Sequence, residues 1–305
     1  MSSRTLIALG TAAGVPTRQR NHNGYALQWD DELLLFDPGE GTQRQMLRAQ
    51  VSAARLTRIC ITHFHGDHSL GLPGVLQTRA ADRPDDPLDV YFPAEGRAHF
   101  EHLYHATVTG TPTWACPHPT LPGHVFDAST FALHAGALDH RVPVLGWRIE
   151  EPRSRHMLPN RLAAAGVAGP DVGRLLREGT LDIGPRRVHL EDVSVEREGQ
   201  CFAFIMDTRL CDEAFRLARD ADLLVCEATF LQQDQHLADD YAHLTAAQAA
   251  RIAAESGARR LVLTHFSQRY GDDPQPFVDE ARTVFDDVVA INDLDRVDVP
   301  PRAEA

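Results

Sequence analysis

A mixed α/β fold is predicted by three features of the chain. Short apolar runs rich in Val, Ile, Leu and Phe end on a polar residue, helical patterns lie between them, and nothing repeats at a fixed period. In order, the runs are Leu33–Phe36 before Asp37, Arg58–Thr62 before His63, Phe202–Met206 before Asp207, Leu223–Cys226 before Glu227 and Leu261–Thr264 before His265. Runs of this length, followed by glycine or polar clusters, read as buried strands. Helical patterns cover Thr42–Ala49, Leu70–Ala80, Asp212–Ala221 and Thr245–Ser256. The last opens on Thr245, which can cap it, and stops at Gly257.

The chain has 305 residues, enough for one large or two small domains with a substantial core. No apolar run approaches the ~18 residues of a membrane span, and no basic segment followed by an apolar one opens the chain, so a cytoplasmic protein is expected. Five cysteines (Cys60, Cys116, Cys201, Cys211 and Cys226) are odd in number and never spaced as CxxC, which argues against a disulfide framework and a thiolate-held zinc. All 30 basic residues are arginine, and the net charge of −13 argues against nucleic-acid binding through overall basicity.

One segment breaks the strand-helix rhythm. Trp147–Arg187 is rich in glycine and proline and carries eight arginines against five acids, a net +3 that leaves −16 for the remainder. On composition alone it reads as a surface insertion with solvated arginines.

The strongest chemical signal is His63-Phe-His65-Gly-Asp67-His68. Directly after a strand, His63 and His65 can face one position while Asp67 and His68 turn toward a second, which suits two adjacent metals. Two metals need further ligands at other strand ends, and His140, Asp207 and His265 supply them. Singly, each has another use: a surface histidine, a helix cap and a satisfied strand-end residue.

Taken with further motifs, the chain resembles the metallo-β-lactamase superfamily and, within it, the ribonuclease Z family of tRNA 3′-processing endonucleases. The resemblance rests on Pro16-Thr-Arg-Gln-Arg-Asn21, Asp37-Pro-Gly-Glu-Gly-Thr42, the histidine motif, Phe204-Ile-Met-Asp-Thr-Arg209, Glu227-Ala-Thr-Phe230, His243-Leu-Thr245 and Leu263-Thr-His-Phe-Ser-Gln-Arg-Tyr270. It implies a four-layer αβ/βα sandwich spanning residues 1–305 as one domain, with residues 147–187 inserted as a protruding flexible arm. It also implies two zinc ions per subunit, one held by His63, His65 and His140, the other by Asp67, His68 and His265, with Asp207 bridging. The implied reaction is removal of the 3′ trailer from pre-tRNA. Asp67 is the implied proton acceptor, read here as positioning water first. A Glu227–His243 pair would protonate the leaving oxygen, or brace the metal loop.

The segment Ala168-Gly-Pro-Asp-Val-Gly-Arg-Leu-Leu-Arg-Glu-Gly179 resembles the family's arm, which clamps tRNA from the partner subunit of a homodimer. Arg174 and Arg177 would contact phosphate there. Arg18 and Arg20 would lie near the active site, or in an ordinary surface loop. Two residues depart from the family pattern: Cys226 stands where histidine is frequent, and Leu244 where serine is. The alternatives are another binuclear-zinc hydrolase, acting on a small phosphodiester or thioester, and a tRNA-binding protein without turnover.

Overall fold

A computed structural model describes residues 4–82, 86–108 and 115–302. The chain divides into two compact units, one built from residues up to Ile149 and from Cys201 to Pro300, the other from Glu150–Gln200.

In the first unit, two seven-stranded sheets face each other. One runs in the order Arg296–Asp298, Arg4–Gly10, Gly24–Trp29, Glu32–Phe36, Arg58–Cys60, Leu88–Pro93, Ala115–Thr120. The other runs Val288–Ala290, Leu261–Thr264, Leu223–Glu227, Cys201–Ile205, Leu145–Glu150, Ala132–Ala137, Gly123–Asp127. The strands Cys201–Ile205, Leu223–Glu227 and Leu261–Thr264 pair in parallel, so their C-terminal ends lie side by side at one edge.

The side-chain alternation of each strand builds the layers. Phe202, Phe204 and Met206 point between the sheets with Leu34, Phe36, Tyr25 and Trp147. Cys201, Ala203 and Ile205 point the other way, onto the helices Asp212–Ala218, Ala246–Ser256 and Gln275–Ala281. On the opposite sheet, Leu33, Leu35, Ile7 and Leu9 meet the helices Thr42–Arg48, Leu72–Asp82 and Arg97–Tyr104. A one-residue slip would exchange the two faces of a strand, so both cores hold the register. The result is the expected αβ/βα four-layer sandwich.

The predicted elements recur with small changes that have local causes. Arg58–Thr62 ends as a strand at Cys60, because the side chain of Asp37 captures both the amide and the hydroxyl of Thr62. The helix expected over Leu70–Ala80 runs over Leu72–Asp82, with Pro73 in its first turn, and a short turn of helix, Gly66–Ser69, precedes it. Thr245 caps Ala246–Ser256 through the Gln248 amide, and Gly257 closes it at φ 72°.

The second unit starts three residues later and ends thirteen later than Trp147–Arg187, because Trp147 and Ile149 belong to a core strand. It holds the antiparallel pair Ser154–Met157 with Ser194–Arg197, the helices Pro159–Ala165 and Pro170–Glu178, and the hairpin Thr180–Ile183 with Arg186–His189. Its own core is Val167, Leu175, Leu181, Val188 and Val193. The new boundaries correct the charge count. Over Glu150–Gln200, eight arginines meet nine acids, so the unit as a whole carries no positive excess.

Candidate metal centre

The site forms where strand ends of both sheets converge. Three residues that close their strands, Asp37, Asp207 and His265, have φ of 47°, 47° and 62°. Non-glycine residues in the left-handed region are uncommon, tolerated best by Asp, Asn and His, and concentrate at functional turns. Here the sharp turn ends each strand: at Asp207 and His265 it releases the side chain into a shared cavity, and at Asp37 it sets the carboxylate behind that cavity, on Thr62 and His68. The Asp37–Thr42 loop packs backbone against backbone. A Cβ on Gly39 would stand 2.1 Å from the Asp67 carbonyl oxygen, so glycine is required there.

His63, His65, His140 and Asp207 form one group of donors, and Asp67, His68 and His265 a second. In the first, His63 Nε2 lies 2.9 Å from His65 Nδ1 and 3.4 Å from Asp207 Oδ2, and His140 Nε2 is 3.8 Å from that same oxygen. In the second, Asp67 Oδ2 is 3.3 Å from His68 Nε2 and 3.7 Å from His265 Nε2. Asp207 Oδ1 faces this second group, at 3.4 Å from His68 Nε2 and 3.3 Å from His265 Nε2. The two oxygens of one carboxylate thus serve two different groups.

The outer hydrogen bonds decide which nitrogen each histidine presents. Thr62 Oγ1 donates to Asp37 Oδ2, so it accepts from His63 Nδ1–H at 3.0 Å. His68 Nδ1–H donates to Asp37 Oδ2 at 2.8 Å, and His140 Nδ1–H to the Ala242 carbonyl at 2.9 Å. Thr229 Oγ1 donates to Glu227 Oε2 and accepts from His265 Nδ1–H at 2.7 Å. Each of these four rings therefore turns Nε2 inward. Such outer tethers fix ring orientation and strengthen a ligand.

The inward atoms are arranged for a cation. His140 Nε2, Asp207 Oδ1 and His265 Nε2 are buried without a hydrogen-bond partner, at a cost of about 1–3 kcal/mol each. Ligands about 2.0–2.2 Å from a tetrahedral ion stand roughly 3.3–3.6 Å from one another, close to most of the spacings found here. Burial pushes His65 and His140 down to about 4 and His63 lower than usual, so all three are neutral electron-pair donors at pH 7. Burial also opposes charging of His68, but the carboxylates of Asp207, Asp67 and Asp37 outweigh it and hold its pKa well above the ordinary value. That pocket therefore calls for positive charge. The cluster Asp89, Cys116 and His118 makes a useful contrast: it is partly exposed, and His118 already pairs with Asp89 at 2.8 Å.

Beside the two groups, His243 lines the cavity with Asp67, Asp207 and His265. Its Nδ1–H donates to Glu227 Oε1 at 3.0 Å. Burial disfavours its charged form, yet Glu227 and then Asp207 raise its pKa to about 9. Glu227 is fully buried and also accepts from Thr208 N, Leu244 N and Thr229 Oγ1, so all its capacity is used inside the protein. It orients His243 and the His265 tether and has no surface left for substrate.

Cys226 is fully buried, and burial pushes its thiol pKa well up, so it is inert. Leu244 is likewise buried, its amide engaged by Glu227. Arg20 is only 3% exposed; its guanidinium bonds to Thr11 Oγ1, Ile291 O, Asp272 O and Asn292 Oδ1 and stacks on Phe266. It braces the loop from within, whereas Arg18 is exposed. Arg174 and Arg177 lie on the helix Pro170–Glu178 of the second unit. Sequence reasoning assigned no role to Thr62, Thr229 or Asp37. The only signal was that Asp37 ends a strand as the ligands do.

Comparison with known proteins places the chain in a family. Residues 17–188 match the model of the metallo-beta-lactamase superfamily, and residues 187–266 that of a beta-lactamase superfamily domain. The chain is 53% identical to ribonuclease Z of Salinispora arenicola, covering 99% of this chain and 98% of that one. It is 52% identical to ribonuclease Z of Streptomyces coelicolor, covering 99% and 100%. Among solved structures, the short form of human tRNase Z superposes with a TM-score of 0.70 at 26% identity over 97% of this chain and 100% of that one. With a matched family model over more than half its length and full-length relatives at this identity, the chain belongs to the ribonuclease Z family of the metallo-beta-lactamase superfamily.

Proposed function

We propose that the chain is a zinc-dependent endoribonuclease that removes the 3′ trailer from pre-tRNA, leaving a 3′-hydroxyl on the tRNA and a 5′-phosphate on the trailer. The observation that carries this reading is the Asp207 carboxylate, whose two oxygens face two separate histidine groups, in a chain about half identical end to end to ribonuclease Z.

The donor set of imidazole and carboxylate, without thiolate, suits zinc. His63, His65, His140 and Asp207 would hold one ion, and Asp67, His68, His265 and Asp207 the other. When bound, paired zinc ions neutralise a phosphodiester and lower the pKa of water. The protein's own groups do the rest. Asp67, whose Oδ2 also accepts from the Gly14 amide at 2.8 Å, is held in place to orient the attacking water. His243, fixed through Nδ1 by Glu227, directs Nε2–H at the departing 3′ oxygen and protonates it. Glu227 keeps that ring oriented and transfers no proton to substrate.

The enzyme works as a homodimer in which the Glu150–Gln200 unit of one subunit grips tRNA bound to the other, and pre-tRNA maturation puts it in the cytoplasm. The deciding experiment incubates the protein with a 3′-extended pre-tRNA, with and without chelator, and maps the cut and both new ends. A cut at the tRNA 3′ end, abolished by chelator and restored by zinc, is expected. RNA binding without a cut, or cleavage of small diesters alone, would replace the reading with one of its alternatives.

A further inference from the structure

One side of the cavity is made by residues that hold none of the seven ligand positions: Arg141, Phe230 and Tyr241. Their placement follows from the ligands. Arg141 directly follows His140, and Tyr241 stands two residues before His243. The bond from His140 Nδ1–H to the Ala242 carbonyl ties the two segments together, and Ala242 takes φ 61° to make that turn.

Within this frame the Tyr241 ring lies on Phe230, with centroids 6.3 Å apart and planes 22° from parallel. Phe230 is buried, while Tyr241 is 48% exposed. The Arg141 guanidinium sits 5.5 Å from the Tyr241 centroid. Among the described residues no acid pairs with Arg141 and no group bonds the Tyr241 hydroxyl. An aromatic face backed by a second ring, open to a cation and adjoining a phosphate-cleaving centre, has the chemistry of a nucleobase platform.

We propose that Tyr241, braced by Phe230, seats the base of a nucleotide flanking the scissile phosphate, and that Arg141 moves from the ring to a neighbouring phosphate as the base takes its place. This rests on the endoribonuclease reading above and adds the base to the phosphate as a determinant of alignment. Stacking accepts any base, because every base has a π face, so the platform aligns the chain without reading sequence.

The test uses pre-tRNA with a single abasic residue on either side of the cut, the wild-type protein, and the variants Tyr241→Ala and Tyr241→Phe, with zinc content measured throughout. An abasic residue on one side should lower wild-type kcat/KM on the order of 10- to 100-fold. Tyr241→Ala should lower cleavage of the intact precursor by a similar factor, yet lower that abasic substrate no further; Tyr241→Phe, which keeps the ring, should retain most activity. The proposal is overturned if neither abasic substitution affects the wild type, or if Tyr241→Ala slows intact and abasic substrates equally. Should Tyr241→Ala lose zinc, the abasic substrates with wild-type protein decide alone. A wild-type protein that fails to cut even the intact precursor would instead remove the endoribonuclease reading.

Discussion

The metal cavity and the Glu150–Gln200 unit use charge in opposite ways. In the cavity, His63, His68, Asp207 and His265 are at most 2% exposed, an outer hydrogen bond sets the inward nitrogen of each of these histidines, and Asp207 Oδ1 and His265 Nε2 have no hydrogen-bond partner inside the protein. In the second unit the arginines are mostly exposed, and several already pair with nearby acids: Arg153 with Glu198, Arg174 with Asp171 and Glu178, Arg187 with Asp182. Buried charge is costly unless its geometry is exact to within tenths of an ångström, whereas exposed pairs contribute about 0–1 kcal/mol and tolerate rearrangement. The cavity is therefore specified residue by residue, and the second unit only by where its unpaired arginines fall.

The most damaging change to the cavity is Asp207→Ala. It removes the one group facing both ligand sets, so zinc content should fall for both positions and turnover should drop on the order of 10³-fold or more, a loss of several kcal/mol of charge stabilisation. Metal analysis alongside pre-tRNA cleavage checks this; an active variant with full metal content would break the bridging assignment. His243→Ala should come next, with zinc retained and pre-tRNA turnover lowered about 10²- to 10⁴-fold. A small diester with a nitrophenolate leaving group needs no proton at departure, so its hydrolysis should change far less. Equal loss on both substrates would make His243 a brace.

How much of this was legible beforehand follows the same division. The strand runs, the four helices and the gathering of seven candidate donors into one cavity could be read because alternation, capping and ligand chemistry each demand particular residue types at particular spacings. The tethers Thr62 and Thr229 could not, because each hydroxyl is oriented by a partner far along the chain: Thr62 donates to Asp37, 25 residues away, and Thr229 accepts from His265, 36 residues away. The burial of Arg20 was hidden for a related reason. Its motif suggests an exposed basic loop, but Thr11, Ile291, Asp272 and Asn292 converge on it from distant segments and bury it. The net +3 of Trp147–Arg187 depended on where the segment was cut. Extending it to the observed boundary brings in Glu191, Asp192, Glu196 and Glu198 and only one further arginine, Arg197.

Excising the second unit sharpens the comparison on a larger scale. Its ends meet, with the Glu151 amide donating to the Gln200 carbonyl at 2.9 Å, so a short glycine linker can replace residues 152–199. Pre-tRNA cleavage should fall about 10²-fold as phosphate contacts are lost, while small-diester hydrolysis stays within about twofold, since every cavity residue lies outside the excised stretch. Parallel kcat/KM measurements decide, and equal loss on the two substrates would show that the unit supports the fold and does not hold RNA.

The smallest effect discriminates most finely among the arginines. Among the described residues, Arg177 and Arg186 have no ion pair, whereas Arg174 sits 3.4 Å from Asp171 and 3.7 Å from Glu178. A guanidinium flanked by two carboxylates presents little net charge to a phosphate. An unpaired one presents all of it and can release counterions on contact. Arg177→Ala and Arg186→Ala should each weaken tRNA binding a few-fold and lower the slope of log affinity against log salt by roughly one, with Arg174→Ala changing that slope less. The converse holds too: Asp171→Asn combined with Glu178→Gln should free Arg174 and tighten binding. Salt-dependent binding of pre-tRNA to the metal-loaded protein measures all of these. Equal slopes for Arg174→Ala and Arg177→Ala would mean that internal pairing does not decide which arginines reach the RNA.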